Sequence, residues 1–172
     1  IRKQGQNPFF HQTLGYIFEV SETVYHEPGG LEKALLSYQK AFFLNNPEQD
    51  PQNSANLALN LGNIHFLLGQ YNRALERYVE RLESNVPFDH EDTEILFYRR
   101  LGGAAFQVNN PDISINAYTR ALDLIGIRSD PRRASELVGK LNAYIFNRIL
   151  TPALKRSKNA ESVEMLARRQ RH

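Results

Sequence analysis

Side chains that could bind a metal ion follow one another in one short stretch of the chain. The stretch is Asp89-His90-Glu91-Asp92, and an apolar run begins just after it at Ile95. Carboxylates and imidazoles are common metal ligands, but neighbouring residues in a loop converge poorly on one ion. Acidic groups also suit the first turn of a helix, where they meet the positive end of the helix dipole. We therefore interpret the stretch as helix capping and predict no metal site.

The histidines have no evident partner for catalysis. His26 and Glu27 stand beside a turn without a nucleophile, and His65 lies in an apolar stretch that suits a packed, hydrogen-bonded imidazole. No phosphate-binding glycine loop, Ser-His-Asp order or zinc-ligand spacing occurs, and cysteine is absent. We predict that the chain is not an enzyme, with no catalytic residue, no cofactor and no small-molecule substrate.

Apolar residues recur every three or four positions through the middle of the chain, as they do on one face of an α-helix. One stripe consists of Leu57, Leu61, Ile64 and Leu68, and a second of Ala74, Leu75, Tyr78 and Leu82. Gly69-Gln70 separates the two stripes, so the helices should fold back on each other. We expect the small Gly62 to lie opposite Ala74 and to let the helices approach closely.

The same order of residues recurs in three copies. Leu61-Gly62, Ala74 and Tyr78 match Leu101-Gly102, Ser114 and Tyr118 forty residues later, and Leu14-Gly15, Ala34 and Tyr38 form a distorted upstream copy. Residues 45–54 and 84–93, which are rich in turn formers, supply extra length between copies. In the upstream copy, the first helix is predicted to reach about His26, about two turns longer than in the central copy. The copies resemble tetratricopeptide repeats, extended from the usual ~34 residues to about 40.

This resemblance implies an all-α fold, a right-handed α-α superhelix of three helical hairpins. The repeats would cover residues 8–46, 55–86 and 95–126, and a C-terminal capping helix at about 131–150 would close the apolar end of the solenoid. We predict one repeat domain over residues 1–156, followed by a basic tail at 157–172 that forms a short helix or is disordered. The start at Ile1, without an apolar signal segment, suggests a piece of a longer protein.

Charge is unevenly distributed along the chain. Residues 128–172 hold 11 Lys or Arg against 4 Asp or Glu, whereas residues 1–127 hold 10 against 15. The basic tail could attach to nucleic acid or to a membrane surface. It lacks interleaved aromatic residues and a large apolar face, so we prefer a solvated tail and disfavour nucleic acid as a partner. No run of 18 apolar residues occurs, and we predict no membrane span. The compartment stays open.

The resemblance also implies a ligand groove along the first helices of the repeats. The face opposite the packing stripe carries Phe9, Gln12, Tyr16 and Glu19, then Asn56, Leu59, Asn63 and Phe66, then Leu96, Arg99, Gly103 and Phe106. Asn63 corresponds to an Asn that bonds a bound peptide's backbone, and Arg99 to a cation that grips carboxylates in chaperone-binding members. Gln12 and Gly103 replace further cations of that clamp, so a chaperone-tail receptor is disfavoured. The predicted groove residues are Tyr16, Asn56, Asn63, Phe66, Arg99, Arg100 and Phe106.

Two functional classes are consistent with these observations. The first is a protein-protein interaction module that binds a peptide or a helical segment of a partner protein in the concave groove. The second is a structural or oligomerising assembly module within a larger protein, which includes a homo-oligomer. Apolar residues near the N-terminus, Phe9 and Phe10, favour the second class if nothing else covers them.

Overall fold

The computed structural model describes residues 7–128 and Gly139, and all regular secondary structure in these residues is helical. The all-α prediction is confirmed. The predicted capping helix at 131–150, apart from helical Gly139, and the basic tail at 157–172 lie outside the described residues. The chain divides into two compact units that meet between Ala121 and Leu122. The helices are α1 (Pro8–Thr23), α2 (Gly30–Leu44), α3 (Pro51–Leu67), α4 (Tyr71–Glu83), α5 (Glu91–Gln107) and α6 (Pro111–Arg128).

Consecutive helices pack against each other, as expected for stacked helical hairpins. Helix α1 packs on α2 and α3 on α4, while α2 contacts α3 and α4 contacts α5. One apolar cluster joins α2 to α3 through Tyr38, Leu57 and Ile64, and a second joins α4 to α5 through Tyr78 and Phe97. Because each cluster ties the second helix of one hairpin to the first helix of the next, the core runs continuously between hairpins.

Three helices begin at an Asn-Pro or Asp-Pro pair. The side-chain oxygen of the Asn or Asp accepts a hydrogen bond from a backbone N–H of the first turn, at 3.0 Å in α1, 2.9 Å in α3 and 3.2 Å in α6. Proline fits the first helical position because its missing N–H would have had no partner there. Capping by Asp50 starts α3 at Pro51, four residues earlier than predicted. The pairs are Asn7-Pro8, Asp50-Pro51 and Asn110-Pro111.

A glycine of the first helix lies under a tyrosine ring of the second helix in each hairpin. A Cβ atom built on Gly62 would lie 2.6 Å from Cε1 of Tyr78, closer than two such atoms can approach. Its expected neighbour, Ala74, is fully buried on the helix that packs against Gly62, but the three nearest atoms at Gly62 belong to the Tyr78 ring. The three pairs are Gly15 with Tyr38, Gly62 with Tyr78 and Gly102 with Tyr118.

The turns within the second and third hairpins have the same backbone conformation despite different sequences. Gly69 and Asn109 both adopt a left-handed conformation, with φ of 71° and 60°. The backbone N–H of the following residue, Gln70 or Asn110, donates to the carbonyl oxygen five residues earlier, at 2.8 Å in both turns. This hydrogen bond gives a partner to a carbonyl at the end of the first helix. In the first hairpin, α1 ends at Thr23 rather than His26, and residues 24–29 form a longer connection.

The connection between α4 and α5, residues 84–90, is folded around a buried arginine. Arg81 is 2 % exposed, and its guanidinium donates to the carbonyl oxygens of Val86 at 2.7 Å and Pro87 at 3.2 Å. The guanidinium also lies 4.0 Å from the centre of the Phe88 ring, which packs in turn on Phe97 of α5. Arg81 therefore holds the connection against the helices on both sides, and we call this group of contacts the Arg81 clamp.

The connection between α2 and α3 is closed by amide and hydroxyl groups instead. Asn45 donates to Oγ of Ser54 at 2.5 Å and accepts from the amide of Asn53 at 2.9 Å. Asn53 is buried, so its amide requires these bonds to avoid a desolvation cost. The two turn-rich stretches identified in the sequence thus form ordered connections with different polar networks.

Candidate functional site

The side chains of Glu19 on α1 and Asn63 on α3 each meet a tyrosine hydroxyl from the second helix of the same hairpin. The Tyr38 hydroxyl donates to Oε2 of Glu19 at 3.0 Å, and the Tyr78 hydroxyl donates to Oδ1 of Asn63 at 3.1 Å. These are the tyrosines that cover Gly15 and Gly62, so the glycine allows each ring to reach across the first helix. We call the polar side chains Glu19 and Asn63, with the buried hydroxyls that bond them and Arg100 of α5, the polar row.

Arg100 extends the polar row from the first hairpin to the third. Its charge acts on both Glu19 and the Tyr78 hydroxyl, and in each case it lowers the pKa. Coulombic effects of this kind require the groups to be near one another. The charge of Arg99, the other predicted cation, lowers the pKa of the Tyr118 hydroxyl on α6 instead. Arg100 is therefore within electrostatic range of Tyr78, the partner of Asn63, and Arg99 is within range of the third tyrosine.

Burial raises the pKa of the Glu19 carboxyl group, and this effect exceeds the opposing influences of the Tyr38 hydroxyl and Arg100. Burial is also the largest cause of the raised pKa values of Tyr38 and Tyr78. A tyrosine hydroxyl is protonated at neutral pH even at its ordinary pKa, so both hydroxyls act as hydrogen-bond donors to Glu19 and Asn63. The Asn63 oxygen is occupied by Tyr78, which directs the amide N–H groups of Asn63 away from that hydroxyl.

The remaining predicted groove residues are less open than the sequence indicated. Asn56 donates to Oδ2 of Asp89 at 3.3 Å, so its amide links α3 to the connection before α5. Phe66 is half-buried, with its ring edge-on to Tyr71 at 5.5 Å and above Gly103. Phe106 is also half-buried, one turn beyond Gly103. Asn56 and Phe66 therefore contribute to contacts between hairpins, and part of each side chain is not accessible to a ligand.

Leu59 lies on the predicted groove face but does not reach the surface. It is 7 % exposed and belongs to the apolar cluster that includes Ala74, Tyr78 and Phe97. The groove face was derived from the residue spacing of α3 alone. Because α3 packs on both α4 and α5, more of its surface is buried than this spacing predicted. The open part of the surface is consequently narrower than predicted.

Tyr16 lies at the edge of a cleft at the α1 end of the polar row. Its side chain is 62 % exposed, and the cleft has a volume of about 410 Å³. The lining comes from all three helices of this region, with Asn60 contributed by α3. The residues that line it are Phe9, Gln12, Thr13, Tyr16, Glu19, Tyr38 and Asn60.

A larger cleft lies elsewhere, between the turns of the second and third hairpins. Its volume is about 650 Å³, and its walls include Asn72 and Arg73 of α4 together with residues 107–109. None of the predicted groove residues lines it within the described part of the chain. We retain it as the competing location for a ligand.

The histidine and acidic residues considered first have structural roles. His65 is buried, and its Nδ1–H donates to Oε1 of Gln70 at 2.8 Å, which agrees with a packed, hydrogen-bonded imidazole; burial lowers its pKa. Asp89 does not cap α5 but accepts from Gln52 and Asn56 of α3. Within residues 7–128, no three His, Asp or Glu side chains gather closely enough to hold a metal ion.

The sequence-based choice of groove residues omitted Glu19, Tyr38 and Tyr78. Both tyrosines were assigned to packing because they recur with the repeat. The hydrogen bonds that their hydroxyls make to residues of the first helices were not considered. The signal was present in the sequence, since a glycine in the first helix and a tyrosine in the second recur in all three copies. A glycine opposite a tyrosine ring lets the buried hydroxyl reach a polar side chain of the first helix, Glu19 or Asn63.

A pH-dependent effect on stability is expected from Glu19. Because the pKa of Glu19 is raised above 4.5 in the folded protein, the folded state holds this proton more tightly than the unfolded state. Ionising Glu19 therefore destabilises the folded state. This destabilisation is absent when the pH is below 4.5 and complete when the pH is above the pKa of Glu19 in the folded protein. Glu19→Gln, which keeps an oxygen for Tyr38, should therefore melt at a higher temperature than wild type at pH 7, with the difference vanishing near pH 4.

Thermal unfolding of both proteins at the two pH values checks this prediction, with Glu32→Gln as the control. Glu32 is exposed on α2, so its replacement should leave the difference between the two pH values unchanged. Equal melting temperatures of wild type and Glu19→Gln at pH 7 would contradict the assigned burial of the carboxylate.

Comparison with known proteins leaves the family open. No model of a protein family matches the chain, and no curated protein shows significant similarity to it. No helix within the described residues is long and apolar enough to cross a membrane.

Proposed function

We propose that the chain is a protein-recognition module of the tetratricopeptide type, which binds an extended or helical segment of a partner protein across α1, α3 and α5. The polar row is the observation that carries this proposal. It takes a carboxylate, an amide and a guanidinium from the first helices of three hairpins, and buried tyrosine hydroxyls hold the carboxylate and the amide from below. A row of donors and acceptors across successive repeats suits a ligand with a regular series of polar groups, such as a polypeptide backbone.

Asn63 is the residue best suited to contact a ligand backbone. Its oxygen is fixed by the Tyr78 hydroxyl, and within the described residues no group accepts from its amide N–H. A fixed donor loses little freedom when it bonds a ligand carbonyl, so more of the interaction appears as affinity. Arg100 adds a positive charge near this donor and would select for an acidic or carbonyl-rich position in the ligand.

The proposal predicts a loss of binding in a groove variant. Peptides selected from a random library on the immobilised wild-type protein should bind Asn63→Ala/Arg100→Ala at least tenfold more weakly, a loss of about 1.4 kcal/mol or more. Asn63→Asp should weaken binding as well, because it keeps an oxygen for Tyr78 but removes the amide donor. Isothermal titration of a selected peptide measures both effects.

The matched control is Asn72→Ala/Arg73→Ala, which removes the same residue types from the competing cleft on α4. It should leave affinity unchanged. Circular dichroism and thermal unfolding establish that each variant is folded. Wild-type affinity in the Asn63/Arg100 variant, with a loss in the control variant, would move the ligand site to the cleft between the turns.

A second candidate function is assembly with another copy of the chain. The first hairpin exposes apolar side chains at seven-residue intervals on α1, and Leu36 and Phe43 of α2 are 67 % and 85 % exposed. The stripe consists of Phe10 and Ile17 of α1 and of Val24, which directly follows the last residue of that helix. Sedimentation equilibrium separates the two functions, since assembly requires a concentration-dependent mass that the groove substitutions do not change.

A further inference from the structure

The cleft at the α1 end of the polar row combines aromatic walls with a single charged group. Phe9 and Tyr16, which are 54 % and 62 % exposed, stand on one side, and Tyr38 reaches in from α2. Among the described residues that line the cleft, Glu19 is the one carboxylate and none is a lysine or an arginine. The other polar groups are the amides of Gln12 and Asn60 and the hydroxyl of Thr13, which is already bonded to the Phe9 carbonyl.

The Glu19 carboxylate is incompletely paired in this environment. Within the described residues, its one hydrogen bond is the one from the Tyr38 hydroxyl to Oε2, and no cation lies within ion-pair distance. Arg100 acts on it from α5 but does not line the cleft. A half-buried carboxylate with one neutral hydrogen-bond partner carries a desolvation cost, and a cation in the cleft would offset that cost.

Aromatic rings and a carboxylate together define the chemistry that this cleft can accept. A cation is attracted by the faces of the rings and by the carboxylate at the same time. An anion would be repelled by Glu19, and an apolar side chain would leave the carboxylate without water or a partner. The volume, about 410 Å³, lies in the range of pockets that bury a small ligand group.

We propose that this cleft is a subsite for a cationic side chain, lysine or arginine, of the segment that binds along the polar row. The proposal rests on the proposed function and specifies its ligand, because the cleft and the row share Glu19 and Tyr38. The segment carries its basic residue at the end that lies over α1, and its more acidic or carbonyl-rich part lies over Arg100. Residues 1–127, with 10 Lys or Arg against 15 Asp or Glu, are complementary in charge to a basic ligand.

The first test uses small probes that do not depend on finding a partner. The N-acetyl methylamides of arginine, lysine and norleucine are titrated against the full chain and followed by NMR. Arginine or lysine should shift the resonances of Tyr16 and Glu19, and norleucine, which has a lysine-like shape without charge, should bind at least tenfold more weakly. Glu19→Gln should abolish this preference, while Glu32→Gln should keep it. Equal binding of all three probes to the wild-type protein overturns the proposal.

The second test separates this subsite from the proposed function. Peptides selected on the wild-type protein should be enriched in lysine or arginine at one position, and selection on Glu19→Gln should lose that enrichment while peptides are still recovered. Recovery of peptides without a basic position on the wild-type protein leaves the function standing and refutes the subsite. Failure to recover peptides, with the arginine probe still bound at Glu19, counts against the function alone.

The source of the cation is tested in the full chain. Its own basic residues near the C-terminus are removed as Lys155→Gln/Arg156→Gln/Lys158→Gln, and the arginine probe is titrated again. Unchanged affinity is expected for a cleft that serves a partner segment. Tighter binding of the probe would mean that the chain's own tail competes for the cleft, which would overturn the assignment to a partner.

Discussion

Replacing Arg81 with alanine is expected to lower the free energy of unfolding by about 3 kcal/mol, because it removes a buried side chain and leaves polar groups without partners. The guanidinium bonds the carbonyl oxygens of Val86 and Pro87 and covers the Phe88 ring. Alanine would leave a cavity between α4 and the connection, and it would release that connection from the helix. Urea unfolding followed by circular dichroism measures the change.

Arg73→Ala is the matched control for Arg81→Ala, since Arg73 lies on the same helix with an exposed side chain. We expect its effect to stay within about 0.5 kcal/mol. Arg81→Lys separates charge from geometry: the ammonium group keeps the charge but cannot bond two carbonyls and stack on Phe88 in the same way. A loss under 1 kcal/mol in Arg81→Ala would show that the Arg81 clamp contributes little to stability.

Replacing Gly62 with alanine is expected to destabilise the protein by about 2 kcal/mol, although alanine favours helices more than glycine does. The added methyl group would lie 2.6 Å and 2.7 Å from two ring atoms of Tyr78, and that ring is fully buried. The ring cannot turn away without disturbing Phe97, which it meets edge-on at 5.5 Å. Thermal unfolding of the single variant tests the expected loss.

A rescue experiment identifies the cause of that loss. In Gly62→Ala/Tyr78→Leu the shorter side chain makes room for the methyl group, so the double variant should be less destabilised than the sum of the two single changes. Gly103→Ala is the graded control, because its nearest atom is 3.2 Å away on the half-buried Phe66 ring and can yield. Additive effects at Gly62 and Tyr78 would contradict the assigned contact.

The helical hairpins could be predicted because helix formation and apolar spacing are local properties of the sequence. The position of Gly62 at a helix contact was also evident, since a residue without a side chain within an apolar stripe marks a close approach. Its partner was not evident. The spacing of Ala74 and Tyr78 puts both on one face of α4, and only the relative angle and offset of the two helices decide which of them lies over the glycine.

Arg81 shows why part of the fold could not be predicted. A charged residue in a helical sequence is usually exposed, and the surrounding pattern gave no reason to treat Arg81 differently. Its burial depends on the path of residues 84–90, where Asn85 adopts a left-handed conformation with φ of 53° and the carbonyls of Val86 and Pro87 turn toward α4. Such a path is set by tertiary contacts, which the spacing of residues along one helix does not reveal.

The candidate site was predictable to the extent that it depends on the first helices. Counting along α3 selected Asn63, which is half-buried and bonded by the Tyr78 hydroxyl, but it also selected Leu59, which belongs to the apolar cluster of α4 and α5. Glu19 was on the counted face without being chosen, because its importance comes from a hydroxyl on α2. Whether these residues bind a ligand stays a prediction until the titrations are done.

The Arg81 clamp has a consequence for the kinetics and entropy of binding. A loop whose carbonyls are tied to a neighbouring helix is a poor hinge, so α3 and α5 keep their spacing whether or not a ligand is present. A segment that lies across both helices then meets a preorganised surface, and little conformational entropy is lost by the protein on association. Complex formation should proceed in one kinetic phase without a slow closure step, and differences in affinity among ligands should arise mainly from their dissociation rates.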